Sequence, residues 1–174
     1  MSAKPLEDKV LTIDIAAPLQ KVWDEITKTG RIQKALYNTV LESTMQPGSK
    51  LRYYSPNKKR VFVVGEVLEV MPPHRFKHTY VMLIKPDQPT TVLWELTETA
   101  SGCRVTLTHS GWTEDAISYE DTAKGWTQIL GLLKAEMENG DIPLGMRVVY
   151  FIQGLFLFAM PKSTRLDEVE RAGY

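Results

Sequence analysis

The sequence predicts an α+β fold: a curved antiparallel sheet of about seven strands, two short helices after the first strand, and one long C-terminal helix covering the concave side. Three observations carry this. Lys9–Ile15 alternates apolar and polar side chains, and helical spacing follows it. From Thr39 to Trp112 every signal is strand or turn. Beyond Trp112 the period lengthens to that of a helix and holds for roughly five turns at ~3.6 residues per turn.

In the first strand Leu11, Ile13 and Ile15 share one face, and Thr12 and Asp14 the other. Pro18 suits the first turn of a helix, where its missing N–H loses no partner, and Val22, Trp23 and Ile26 form an apolar stripe. This helix ends near Thr29 and Gly30, and a second is predicted from Arg31 to Leu36 with Ile32, Ala35 and Leu36 facing inward. The turn signals QPGS, SPNKK, MPPH, KPDQP and TASG then set apart strands at Val40–Met45, Ser49–Ser55, Arg60–Val70, Arg75–Ile84, Thr91–Glu98 and Arg104–Ser110. Connections this short leave no room for crossover helices, so neighbouring strands must run antiparallel. Finally, Ala123, Trp126, Ile129, Leu130, Leu133 and Met137 recur at helical spacing within Asp121–Asn139, and Gly140 is a fitting C-cap.

The composition suits one globular core: 174 residues, 43% hydrophobic and 24% charged. Lys+Arg and Asp+Glu each number 21, and no basic stripe alternates with aromatics, which argues against a nucleic-acid partner. Cys103 is the only cysteine, so there is no internal disulfide and no multi-cysteine zinc site. Its place beside the Ser101–Gly102 turn predicts an ordinary, partly exposed thiol. MSAKPLEDKV lacks the apolar core of a secretory signal, which makes the cytoplasm the expected compartment. Neither HExxH nor CxxC nor a phosphate-binding loop is present, so no metal and no cofactor is expected.

The segments PGSKLRYY, GEVLEVMPPHRFKHTYV, WELTETASGCRVTLTHSGW and GWTQILGLLKAEMENG, in this order, resemble the family named for the activator of heat-shock-protein-90 ATPase, in its C-terminal-type domain. The resemblance runs from about Val10 to Gly140, and its most telling pieces are VTLTHSGW at Val105–Trp112 and the GW-x-x-x-L-x-x-L-K pattern at Gly125–Lys134. It implies membership of the START-related, SRPBCC superfamily and its helix-grip fold, a sheet wrapped around a long helix with an elongated cavity between them. In relatives that cavity holds lipids, sterols, polyketides or other apolar molecules. In the co-chaperones this domain follows a large N-terminal domain, whereas only Met1–Lys9 precedes the first strand here. The resemblance therefore implies a single-domain ligand-binding module at residues 1–140, with 141–174 as a C-terminal helical extension.

Strand phases predict the lining of that cavity. Val92, Trp94 and Leu96 form one inward set, and Val105, Leu107 and His109 another. On the strand between Arg75 and Leu83, His78, Tyr80 and Met82 form the favoured inward phase, in competition with Val81 and Leu83. Trp126, Ile129, Leu130 and Leu133 face them from the helix. Apolar walls with a few polar tips suit a small-molecule site, although a packed core needs the same residues. An inward imidazole at His78 or His109 could orient a ligand or act as acid or base near neutral pH. Their strands are separated by one other, about 10 Å apart if level, too far for direct pairing. His74, after Pro72–Pro73, is expected in a surface loop.

Two function classes follow. One is a non-catalytic module binding a small hydrophobic or amphipathic ligand; the other is an enzyme like the polyketide cyclases and dehydratases, with His78, His109 or Tyr80 as acid–base groups. A stress-response or co-chaperone-like interaction module is a further alternative, implied by the family name alone.

The run GMRVVYFIQGLFLFAM, Gly145–Met160, stands apart. As a helix it would be roughly 24 Å long at ~1.5 Å per residue, short of the about 30 Å hydrocarbon core of a bilayer. It starts at Pro143 and stops at Pro161. With Arg147, Gln153 and Gly154 leaving no broad polar face, it needs apolar neighbours: its own domain near the cavity mouth, a second copy in a homodimer, or a membrane surface. Ser163–Thr164 reads as the cap of a short polar final helix, RLDEVERA.

Overall fold

The computed structural model describes residues 3–174. The chain runs through β1 (Lys9–Ile15), α1 (Leu19–Thr27), β2 (Ile32–Gln33), β3 (Thr39–Glu42), β4 (Lys50–Tyr54) and β5 (Val61–Met71). It continues with β6 (Arg75–Met82), β7 (Thr90–Thr99), β8 (Gly102–Ser110), α2 (Tyr119–Asn139), α3 (Leu144–Leu155) and α4 (Leu166–Arg171). Short 3-10 turns at Leu157–Ala159 and Lys162–Thr164 join the last two helices. The eight strands form one sheet in the order β1-β8-β7-β6-β5-β4-β3-β2, each pair antiparallel. The predicted α+β class holds, with one strand more than expected.

That extra strand replaces the second predicted helix. Ile32 and Gln33 pair with Val40 and Thr39, and Tyr37 and Asn38 take left-handed φ of 53° and 57°, which no continuing helix tolerates. The Gln33 amide is drawn away to donate to the carbonyls of Glu25 and Ile26 at 2.9 and 3.0 Å, closing the free C-terminal end of α1. A local 3.6-residue pattern thus yields to capping of a neighbour.

The sheet's inner face, with Ile15, Phe76, Trp94, Leu96, Val105 and Leu107, packs on Val22, Trp23 and Ile26 of α1 and on Leu130, Leu133 and Met137 of α2. α2 ends as predicted: Gly140 takes φ 84° and its N–H returns to the Glu136 carbonyl. Cys103, expected at a partly exposed turn, lies inside this core on β8, because its side chain points inward in register with Ile15 and Glu98.

The tail crosses from one face of the sheet to the other. α3 is shorter than Gly145–Met160; it stops at Leu155, just past Gly154, a weak helix former, and continues as a 3-10 turn. Tyr150 is its one buried residue. The chain is then held by Arg60, buried just before β5, whose guanidinium donates to the carbonyls of Phe158 at 3.0 Å and Pro161 at 3.4 Å and to the Thr164 hydroxyl at 3.4 Å. α4 puts Val169 against Val61, Val64, Val81 and Leu83 on the outer face. This explains why both phases of β6 are apolar: one faces the core and the other meets α4. Ser163 and Thr164 do not cap α4; their hydroxyls donate to the carbonyls of Leu83 at 2.6 Å and Pro161 at 2.7 Å, and so fasten the strap itself. Among the described residues no helix is long and apolar enough to cross a membrane.

Candidate functional site

Between the sheet, the first half of α2 and the tail lies a cleft of about 620 Å³. The sheet supplies Thr39, Tyr53, Phe62, Val63, Tyr80 and Met82, and the turn after β2 supplies Tyr37 and Asn38. From α2 come Thr122, Gly125, Trp126 and Ile129. The tail closes the other side with Tyr150, Gln153, Phe156, Leu157 and Met160. The glycine of the GW pattern has a local reason: a Cβ there would stand 3.3 Å from the Tyr37 hydroxyl. With glycine in place that hydroxyl bonds Gln128 Oε1 at 3.0 Å and approaches the Gly125 carbonyl at 3.3 Å.

Of the residues predicted to line the cavity, Tyr80, Met82, Trp126 and Ile129 do so. His78, Val92, Trp94, Leu96, Val105, Leu107, His109, Leu130 and Leu133 do not. These nine are buried behind the cleft wall, where sheet and helix approach closely enough to pack solid. Strand phase identifies the inner face but not where along it the helix stands away. The lining that phase reasoning missed comes from Tyr37, Tyr53, Tyr150 and the tail. Tyr53 was accessible through its alternation with Leu51; Tyr37 was hidden by the mistaken helix.

His109 is level with His78 across β7, both paired with Val92. Its two ring nitrogens are fully engaged. Trp126 donates its indole N–H to Nδ1 at 2.8 Å, so Nδ1 carries no proton and Nε2 must carry it. Nε2–H then donates to the Thr90 hydroxyl at 2.7 Å, which donates in turn to the Tyr80 carbonyl at 3.1 Å. Burial, reinforced by nearby His78, pushes the His109 pKa down to about 3. His109 is thus a neutral spacer that fixes Trp126 and the Tyr80 backbone. His78 donates Nδ1–H to the Thr79 carbonyl at 2.7 Å, and burial pushes its pKa down to about 4. Its Nε2 is buried without a partner among Tyr53, Phe76 and Tyr80. His74 lies exposed in the turn between β5 and β6, as expected, and its ring bonds the Leu96 carbonyl at 3.0 Å.

The cleft contains no histidine, lysine, arginine or cysteine, and its one charged residue, Asp121, pairs with Lys85 at the rim. The Lys85 ammonium holds Asp121 below the usual carboxylate range. No nucleophile stands beside a base. Among the described residues no group of three or more His, Cys, Asp and Glu side chains is arranged to hold a metal ion. What this arrangement can do is enclose an apolar body and offer it hydroxyl groups.

The sequence matches the family described as Activator of Hsp90 ATPase homolog 1-like protein over residues 16–138. The chain belongs to this family. Several solved structures share its fold. Protein MLL2253 from Mesorhizobium loti is 21% identical, with a TM-score of 0.65, and the match covers 78% of this chain and 100% of that one. DynU16, a putative protein in the dynemicin biosynthetic locus, is 22% identical with a TM-score of 0.65, over 79% of this chain and 49% of its own. The Aha1 dimer from Colwellia psychrerythraea is 18% identical with a TM-score of 0.62, over 76% of this chain and 97% of that one. At such identities the likeness speaks for the fold. No curated protein matches the chain significantly. The family match ends at residue 138, so α3, α4 and the strap between them lie outside it, although α3 and the start of the strap complete the cleft.

Proposed function

We propose that this family member binds a small hydrophobic or amphipathic molecule in the cleft and performs no covalent chemistry on it. The observation that carries this is the lining itself: aromatic and aliphatic walls, hydroxyl tips and no acid–base pair. The polyketide cyclase or dehydratase alternative requires a proton-transferring group against the ligand, and both histidines that could serve stand behind the wall in neutral form. Tyr80 reaches the cleft, but burial raises its pKa, which suits a hydrogen-bond donor better than a base. The same proposal places the protein in the cytoplasm, a reducing setting that a single buried thiol suits. Native mass spectrometry of the full chain after exposure to an apolar metabolite extract tests it. A one-to-one mass increase is expected, and Ile129→Trp, which fills the cleft from α2, should abolish it. No increase, or one that Ile129→Trp leaves intact, would refute the reading.

The tail supports a second proposal, self-association. Leu144, Val148, Phe151 and Leu155 form one exposed stripe on α3, and Phe151 and Phe158 are 70% and 75% exposed. The relative from Colwellia psychrerythraea is a dimer in solution. Sedimentation should show a concentration-dependent dimer that Phe151→Asp dissociates; a monomer at all concentrations would exclude it.

A further inference from the structure

Building on the cleft reading, we propose that the ligand is an uncharged molecule whose apolar body carries an acceptor oxygen, such as a ketone, held by the hydroxyls of Tyr80 and Tyr53. Three observations lead there. First, the side chains of Tyr53 and Tyr80 are almost wholly buried and line the cleft, and neither hydroxyl hydrogen-bonds to another described residue. Burial holds both phenols above their ordinary pKa, so each keeps its proton and can donate it to a molecule in the cleft. Second, Thr122 on α2 and Tyr150 on α3 line the same cleft, and their hydroxyl oxygens are buried without partners. Buried polar groups are ordinarily paired, and a set of unpaired hydroxyls around one space marks where a ligand's polar atoms belong. Third, charge is missing. A carboxylate or phosphate would meet no cation in the lining, and the one charged side chain, Asp121, would repel it. Taking an anion out of water without a counterion is strongly unfavourable, whereas a carbonyl needs only a donor.

The aromatic lining admits one competitor. Tyr37, Tyr53, Tyr80, Tyr150 and Trp126 could face a quaternary ammonium. The carboxylate that would favour such a cation is already engaged by Lys85, and unpartnered hydroxyl donors gain nothing from a cation.

Four naphthalenes of one skeleton separate these cases by isothermal titration at pH 7.5: 2-acetylnaphthalene, 2-ethylnaphthalene, 2-naphthoate and (2-naphthylmethyl)trimethylammonium. The ketone should bind about fivefold more tightly than the ethyl compound, the worth of one net hydrogen bond, despite being less hydrophobic. It should exceed naphthoate by at least about tenfold. Tyr80→Phe or Tyr53→Phe should erase the advantage of ketone over ethyl while leaving the ethyl compound within about twofold of its original affinity. Tightest binding by naphthoate or by the ammonium overturns the inference but keeps the cleft. Equal binding of ketone and ethyl compound overturns it likewise. If none of the four binds, the cleft reading falls with it.

Discussion

Lowering the pH from 7 to 5 should cost this fold about 4 kcal/mol, through two histidines that never touch the ligand. Burial holds His78 down to about 4 and, with His78 nearby, His109 down to about 3. In the unfolded chain a histidine takes its proton at about 6.5. Between these values the unfolded state binds protons that the folded state refuses, so stability rises with pH in this window and is lost on acidification. Each pH step below about 6.5 costs about 1.4 kcal/mol per histidine, hence roughly 2 kcal/mol apiece at pH 5. That is a large share of the roughly 5–15 kcal/mol that stabilises a typical domain. Asp14, Asp121, Asp141, Glu69 and Glu138 are held below their ordinary range by cationic neighbours and hydrogen bonds. Their contribution is lost only below about pH 4, beneath the histidine window. Glu136 acts the other way: burial and Glu25 raise its pKa, so the folded state takes that proton first. Urea unfolding followed by tryptophan fluorescence at pH 5, 6 and 7 measures the loss. His78→Phe, with the Phe76 ring 4.9 Å away as an aromatic neighbour, should halve it to roughly 2 kcal/mol. A total loss under about 1 kcal/mol, or one that His78→Phe leaves unchanged, would refute the assignment of neutral, water-excluded imidazoles.

Further outcomes follow from the same structure. Gly131 sits inside α2, where an added Cβ meets nothing within 4 Å, so Gly131→Ala should stabilise the fold by about 1 kcal/mol in denaturant unfolding. Arg60→Ala removes the donor to the Phe158 carbonyl and two weaker bonds, to the Pro161 carbonyl and the Thr164 hydroxyl. It should cost about 2–3 kcal/mol, and chymotrypsin should cut at Phe156 or Phe158 faster than in the parent chain. Unchanged cleavage would mean that Arg60 does not hold the strap. Glu136→Gln should raise the Tm at pH 7, because it removes a buried carboxylate that Glu25 repels.

Periodicity made most of the sheet and the long helix legible, because each strand has one face in the core and α2 one stripe there. It erred where a residue served a neighbour rather than its own segment. Gln33 caps α1, and Tyr37 with Asn38 turns left-handed, so Arg31–Leu36 could not become the expected helix. The competing phases of β6 were a true signal of two buried faces, but only Val169 of α4, remote in sequence, shows what covers the second. The site was less legible. Inward phase cannot tell Trp94, packed solid, from Tyr80, which opens on a cleft. That difference depends on how far α2 stands from the sheet and on Tyr150 and Phe156 arriving from a tail outside the family match. The apolarity of GMRVVYFIQGLFLFAM did indicate a segment in need of neighbours, and its two sides find different ones: Tyr150 faces the domain while Phe151 and Phe158 remain exposed.

The most direct test is to locate a bound molecule by its effect on Trp126. In ¹H–¹⁵N spectra of the full chain titrated with 2-acetylnaphthalene, the Trp126 indole N–H and the amides of Gly125, Ile129 and Gly154 should shift in a saturable way. The indole of Trp23, in the core between α1 and the sheet, should stay in place. Shifts confined to the exposed stripe around Phe151, or no saturable shift at all, would contradict a ligand site between the sheet, α2 and the tail.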